Sequence, residues 1–338
     1  MEMFQGKTFG FDRIFDPAEG ILVRSPLANE PGWWAGAPSA SFDPVSNQFF
    51  LVYRLRQPRG QGRGVECRIA ASDNGVTFVD IWALPKSTLG AQSLDRASLV
   101  HCADGMWRLY IGHVDESDGR WRISYLEARE PDQFQIGSLQ PLLSAQDVLS
   151  EGVKDPNVFR VGPMYYLLAS YARVDPERGP ALEADRHAGG DVYSTGLIRS
   201  RSGAAVSGDG KFFQWIGDVS PNYHCQAREP ADPGLGWDSY CRRLTSILPM
   251  DGGGYLAFYD GGRTVDDNYE ERTGLAMTFD LRTYYSLSPT APVLVSPHGS
   301  GSLRYVDVLP VGNELFYYYE IACADGSHEL RVNVVDRH

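Results

Sequence analysis

The stretch DPNVFRVGPMYYLLAS, Asp155 to Ser170, holds a complete structural plan. A short strand opens on small or polar residues, turns at a glycine, and returns through a run rich in Tyr and Leu. Four other stretches repeat it: APSASFDPVSNQFFLVYR from Ala37, RASLVHCADGMWRLYIG from Arg96, LTSILPMDGGGYLAFYD from Leu244 and YVDVLPVGNELFYYYE from Tyr305. Their openings lie 59, 59, 89 and 61 residues apart, so one excess of about 30 residues sits in the third unit. Each hairpin is followed by a third strand: VECRIAAS from Val65, RWRISYLEA from Arg120, VYSTGLIRS from Val192, RTGLAMTF from Arg272 and HELRVNVV from His328. FVDIWAL, DQFQIG, FFQWIGD and RTYYSLS supply a fourth strand to the first four units. The fifth unit lacks its own, and KTFGFDRIF, residues 7–15, belongs to no repeat and is predicted to complete it. Four-stranded units at near-equal spacing indicate radial repetition, and a borrowed strand closes the ring and removes its exposed edges. The expected fold is all-β, a five-bladed β-propeller in a single domain, 1–338. The blades fall at approximately 33–86, 92–140, 150–220, 240–290, and 300–338 plus 7–15. A β-sandwich or two smaller β-domains would not require such spacing.

The composition fits this reading. Of 338 residues, 43 are acidic and 31 basic, a net charge of -12 that argues against broad binding of nucleic acid. The 18 Tyr, 15 Phe and 7 Trp argue against disorder. No apolar run approaches the ~18 residues of a spanning helix, and no basic segment followed by an apolar run opens the chain. No membrane partner is expected. Cys67, Cys102, Cys225, Cys241 and Cys323 are odd in number and contain no C-x-x-C pair, which favours reduced, mostly buried thiols and a cytoplasmic location. No cofactor and no metal site is expected. DGGRTVDDNYEE, from Asp260, lacks the spacing of a calcium loop and reads as a solvated loop near the site.

Propeller topology gathers strand-one starts, strand-two ends and strand-three starts on one face. Strand-one starts contribute Asp95, Arg96, Lys154, Asp155, Arg243, Arg304 and Tyr305, with Gly36 and Ala37 in the first unit. Strand-two ends contribute Arg54, Arg56, His113, Tyr171, Asp260 and Glu320, and strand-three starts add Glu271 and His328. Trp33 and Trp34 enter the first unit at this face, where an indole can stack on a sugar ring. The long connection ARVDPERGPALEADRHAGGD, from Ala172, also emerges here and is expected to cover the pocket. His113, His298 and His328 show no metal-ligand spacing and are read as hydrogen-bonded structural histidines.

LVYRLRQP, ECRIAASDNGVTF and VKDPNVFRVGPMYYLLAS, within this five-unit plan, resemble the glycoside hydrolase superfamily that includes families 32, 43, 68 and 130. The resemblance runs from about Trp33 to Val335 and implies a carboxylate role for Asp155. It also implies an Asp at the start of blade one, where this chain has Ala37, and an acid Glu near the start of blade four, where it has Arg243.

Three functional readings follow. Glycoside hydrolysis would use Asp155 with a second carboxylate from Asp95, Asp260, Glu320 or Asp238, on a carbohydrate substrate that includes anionic sugars. Phosphorolysis would need one acid, with Arg54, Arg96, Lys154, Arg243 and Arg304 receiving phosphate. A sugar-binding pseudoenzyme or repurposed propeller enzyme is the third, because fold does not fix function. Against a ligand role for the cations, Arg243 is also suited to bridge Glu320 or Asp260 around the channel.

Overall fold

The computed structural model describes residues 14–174, 183–187, 191–222 and 236–337, and the protein is all-β. Near the N-terminus β1 (Ile21–Arg24) pairs with the last strand of the chain. The others hydrogen-bond in sequence order as antiparallel groups. The first holds β2 (Trp34–Asp43), β3 (Gln48–Arg56), β4 (Gly64–Ser72) and β5 (Val79–Pro85). The second holds β6 (Ala91–His101), β7 (Trp107–Asp115), β8 (Trp121–Ala128) and β9 (Gln140–Leu143). The third holds β10 (Val153–Val161), β11 (Met164–Val174), β12 (Ile198–Ser207) and β13 (Gln214–Asp218). The fourth holds β14 (Cys241–Pro249), β15 (Tyr255–Gly262), β16 (Arg272–Thr278) and β17 (Tyr284–Ser286). The last holds β18 (Leu303–Val311), β19 (Glu314–Ala322), β20 (His328–Asp336) and β1.

Three strands differ from the sequence reading. Residues 7–13 lie outside the described residues, and the strand that pairs with β20 is Ile21–Arg24. Phe15 is no strand residue; it packs on Tyr317 and Tyr319. The third strand of the third group starts at Ile198, because Asp191 caps a 3₁₀ turn over Val192–Ser194. DQFQIG ends in another 3₁₀ turn, and Gln140–Leu143 forms the outer strand there.

Burial follows position within each group. The second strands β3, β7, β15 and β19 are buried along nearly their whole length, so both faces pack on neighbours. This is why QFFLVYRLR and ELFYYYEIA read as continuous apolar runs rather than alternating ones. Outer strands such as β5 and β13 are largely exposed or half-buried.

The first strands are tied to one another by hydrogen bonds. Asp307 of β18 accepts from the Ala40 N–H of β2 at 2.7 Å. Ser39 of β2 meets Ser98 of β6 at 3.5 Å, and Ser98 accepts from the Val158 N–H of β10 at 3.0 Å. Asn157 donates to the Thr245 carbonyl of β14, and Ser246 donates to the Val306 carbonyl of β18 at 2.8 Å. The pairings Trp34 with His328 and Ser200 with Cys241 add parallel bridges between groups.

Every first strand also breaks register near its start, between Gly36 and Ser39, Leu94 and Ala97, Lys154 and Asn157, Leu244 and Ser246, and Arg304 and Asp307. Such bulges turn a side chain out of the pleat. Ala37, Asp155 and Tyr305 occupy equivalent bulge positions with φ of 51°, 54° and 53°. That conformation costs an L-residue about 1–2 kcal/mol. Pro38 and Pro156 follow two of them, at positions where a missing N–H is tolerated. Among the described residues, no helix is long and apolar enough to cross a membrane.

Candidate active site

The bulges and second-strand ends converge on a closed loop of alternating charge. Arg54 bridges Asp95 and Glu320, the latter at 3.0 Å. Arg304 bridges Glu320 at 2.7 Å and Glu271 at 2.6 Å. Arg243 reaches Glu271 at 2.7 Å, Asp260 at 3.4 Å and Asp155 at 3.8 Å. Lys154 closes the loop, 3.6 Å from Asp155 and 2.7 Å from Asp95. Tyr305 stands inside it. Its hydroxyl lies 3.5 Å from both Asp95 and Asp155, and its ring meets the guanidinium groups of Arg54, Arg243 and Arg304. All ten residues are buried. Stripping water from so many charges is costly, and alternation is what offsets it.

The loop separates the carboxyl groups by protonation. Burial would raise Asp95, Glu271 and Glu320, but their cations prevail. Lys154 and Arg54 hold Asp95 far below the carboxylate range, Arg304 and Arg54 do the same for Glu320, and Arg243 and Arg304 hold Glu271 down to about 2. Asp260 goes the other way. Burial raises it to about 7, with Glu271 adding to the rise and Arg243 only partly opposing it. Its Oδ1 accepts from the Tyr305 N–H at 2.9 Å. Paired carboxyl groups pushed apart in this way suit separate acid and base roles.

Two of these carboxylates stand beside positions that the family resemblance expects to be acidic. Glu320 Oε2 accepts from the Ala37 N–H at 3.1 Å, and a Cβ at Gly36 would collide with the same carboxylate. Asp260 is the cross-strand partner of Arg243. The carboxylates nearest these two positions belong to strand two of a neighbouring group and of the same group, respectively. Asp155 stays on strand one, and its Oδ2 has no hydrogen-bond partner.

Other predicted residues are placed differently. Arg96 is tied to three other first strands, donating to Pro38 O at 3.0 Å, Thr245 O at 2.5 Å and Asp307 at 2.8 Å. Asp238 is buried away from the loop, against Arg242 and the Tyr259 hydroxyl. His113 meets Ser124 at 3.0 Å between β7 and β8, and burial lowers it to about 4. Tyr171 donates to Asp218 and packs edge-on against Trp215. His298 is exposed. His328 lies between Glu320 at 2.8 Å and Glu270 at 3.0 Å, which raise it against the effect of burial. Of the two tryptophans, Trp33 is half-buried, whereas Trp34 is buried and stacks on His328. The cysteines Cys67, Cys102 and Cys241 are buried and Cys323 is half-buried, while Cys225 lies outside the described residues.

Above the loop opens a cavity of about 470 Å³ lined by Trp34, Arg56, Arg59, Tyr269, Glu270 and His328, among others. A second, of about 440 Å³, adjoins it through Arg59 and Tyr269 and reaches Arg63, Asp185 and Asp191. The segment expected to be a solvated loop is thus corrected. Asn268, Tyr269 and Glu271 are buried, because Tyr269 donates to Asp191 and Glu271 enters the charge loop. The long third-group connection is described in part. Its helix, Glu183–His187, is fixed to Glu151 by Arg186 at 3.0 Å and His187 at 2.9 Å, and Asp185 lines the second cavity. Tyr269, Glu270 and Asp191 carried no signal beyond lying near strand ends. Among the described residues no cluster of His, Cys, Asp and Glu is arranged to hold a metal ion.

No family model matches the sequence, and no curated protein matches it. Solved structures do resemble the fold. RS223-β-xylosidase aligns with TM-score 0.64 at 11% identity, covering 94% of this chain and 95% of that one. A GH43_1 enzyme from Xanthomonas citri complexed with xylose aligns with TM-score 0.63 at 13% identity, over 93% and 90%. An endo-arabinase from Bacteroides thetaiotaomicron aligns with TM-score 0.55 at 13% identity, over 95% and 98%. At these identities the likeness is one of fold.

Proposed function

We propose that the chain is a single-domain, five-bladed β-propeller closed by Ile21–Arg24, and that it acts as a glycosidase-like enzyme on a small carbohydrate at the mouth of its axis. One observation carries the reading. Three carboxyl groups, Glu320, Asp155 and Asp260, belong to one buried charge network, Asp155 and Asp260 through Arg243 and Glu320 through Arg304 and Glu271. Glu320 and Asp260 stand beside the strand-one positions where the resembled glycoside hydrolases keep their own. Asp260, protonated up to about pH 7, is the group able to protonate a leaving glycosidic oxygen. Asp155, near Tyr305 and Arg243 with one oxygen lacking a hydrogen-bond partner, is the carboxylate proposed to take the proton from water. Glu320, held as an anion by Arg304 and Arg54, stabilises the positive charge that develops at the anomeric carbon. The reaction is a single displacement at the anomeric carbon. The solved neighbours, a xylosidase, an arabinase and a GH43_1 enzyme holding xylose, support a saccharide as the substrate class.

Sugar binding without cleavage is the second reading, favoured by burial: Asp155 is 4% exposed and Asp260 and Glu320 are 0% exposed beneath Trp34 and His328. Phosphorolysis has less support, since Arg54, Lys154, Arg243 and Arg304 are each committed to carboxylates.

Release of nitrophenol from aryl xylosides and arabinosides, with and without inorganic phosphate, separates the three. Turnover indifferent to phosphate and abolished in Asp155→Asn is expected. Turnover that requires phosphate selects the phosphorylase, and sugar binding without turnover selects the binding protein.

A further inference from the structure

Two buried arginines of this face stand outside the charge loop, and Arg96 is paired with Asp307 while Arg56 is not paired with a carboxylate among the described residues. Arg56 ends β3 beside Arg54, is 5% exposed, and lines the 470 Å³ cavity. Its guanidinium rests in the angle between Trp34, 4.3 Å away, and Tyr269, 4.2 Å away, whose ring centres are 6.1 Å apart. These rings hold it but accept no ordinary hydrogen bond. Its Nε has no partner, and among the described residues no carboxylate pairs with the group. Among the described residues the cavity's one lining carboxylate, Glu270, is committed to His328 and Ser300. A second cation, the exposed Arg59, stacks on the same Tyr269 ring at 4.3 Å. A buried guanidinium without an acceptor is costly in a folded chain unless a ligand completes it.

We infer that the cavity takes an acidic saccharide, with Arg56, held by the Trp34 and Tyr269 rings, receiving the sugar's carboxylate and Arg59 standing at the entrance. The inference rests on the carbohydrate reading above and adds the charge of the substrate. A carboxylate matches the planar donor fork of arginine with two parallel hydrogen bonds, and the rings that hold the fork leave its N–H edge to the ligand.

Calorimetric titration of the intact protein with D-glucuronic acid, its neutral isostere D-glucuronamide, and inorganic phosphate tests it. The acid is expected to bind at least roughly tenfold more tightly than the amide, as a charge-assisted pair requires. Arg56→Gln is expected to remove that preference. The wild-type comparison stands by itself if the variant does not fold. Equal affinity for acid and amide, or no binding of either, overturns the inference. Phosphate binding without acid preference overturns it in favour of a phosphate site. Cleavage of neutral aryl glycosides with no acid preference sinks this inference alone, whereas acid preference without any cleavage sinks only the enzymatic reading.

Discussion

The backbone N–H of Ala37 donates to the Glu320 carboxylate at 3.1 Å, so a side chain from β19 occupies the place beside the first bulge that strand one leaves empty. Gly36 makes this possible, since any Cβ there would meet that carboxylate. Gly36→Ala is therefore expected to displace Glu320 from Arg54 and Arg304. Turnover of an aryl glycoside should fall by an order of magnitude or more, with about 1–3 kcal/mol lost in urea unfolding. A variant with wild-type rate would remove Glu320 from the mechanism.

Arg304 joins Glu271 to Glu320. Arg304→Met leaves both carboxylates buried with one cation fewer, and a loss of about 3–5 kcal/mol is expected. Adding Glu271→Gln should recover part of that loss. Strict additivity in this double-mutant cycle would show that the loop does not act as a connected unit.

Asp260 has a folded-state value of about 7, well above that of an exposed carboxyl group. The native protein thus holds a proton that the unfolded chain releases from about pH 4 upward. Its contribution to stability is full below about pH 4 and is lost as pH rises through about 7. Activity should show a basic limb near pH 7, and Asp260→Asn should lose turnover and flatten the matching fall in stability. A basic limb retained in the variant would assign the acid elsewhere.

His113 carries the opposite sign. Burial chiefly, with help from Arg122, lowers it to about 4, so the unfolded chain takes up a proton before the native one does. Stability on the order of 3 kcal/mol, present above about pH 6.5, is expected to drain away as pH falls to about 4. His113→Gln should remove most of that acid sensitivity in thermal melts, and an unchanged slope would place its origin in another group.

Tyr305→Phe deletes only the hydroxyl between Asp95 and Asp155. Stability should change by about 1 kcal/mol, while kcat falls more than KM changes, because the ring packing against three guanidinium groups survives. A purely structural hydroxyl would leave kcat unaltered.

The repeat was legible because second strands buried on both faces write themselves as unbroken apolar runs, as in LVYR and YLAFYD. Asp155 was legible because it opens a strand and lies in VKDPNVFR, the stretch that carries the family resemblance. Glu320 beside Gly36 was not, since the two lie far apart in sequence and only the packing of β19 against β2 brings them together. The convergence of Arg54, Lys154, Arg243 and Arg304 was visible from topology, but their pairing depends on side-chain reach, which topology does not specify. Strand β1 was missed in favour of residues 7–15 because ILVR is short and mostly exposed, and so resembles a linker. Arg56 looked like one more strand-end cation. What distinguishes it, the lack of an acceptor, is a property of its surroundings.

The pairing of β1 with β20 also sets an order of events. Gly20 accepts from Arg331, 311 residues later, and Ile21 lies opposite Val332. During synthesis the N-terminal strand leaves the ribosome first and must wait for nearly the whole chain before its partner exists. Each group can form its local hairpins early, but the final seam joins the most distant segments and bears the largest loop-closure entropy. Refolding is thus expected to end in a slow, late step, during which the outer edge of β20 is the one most open to pairing with another chain.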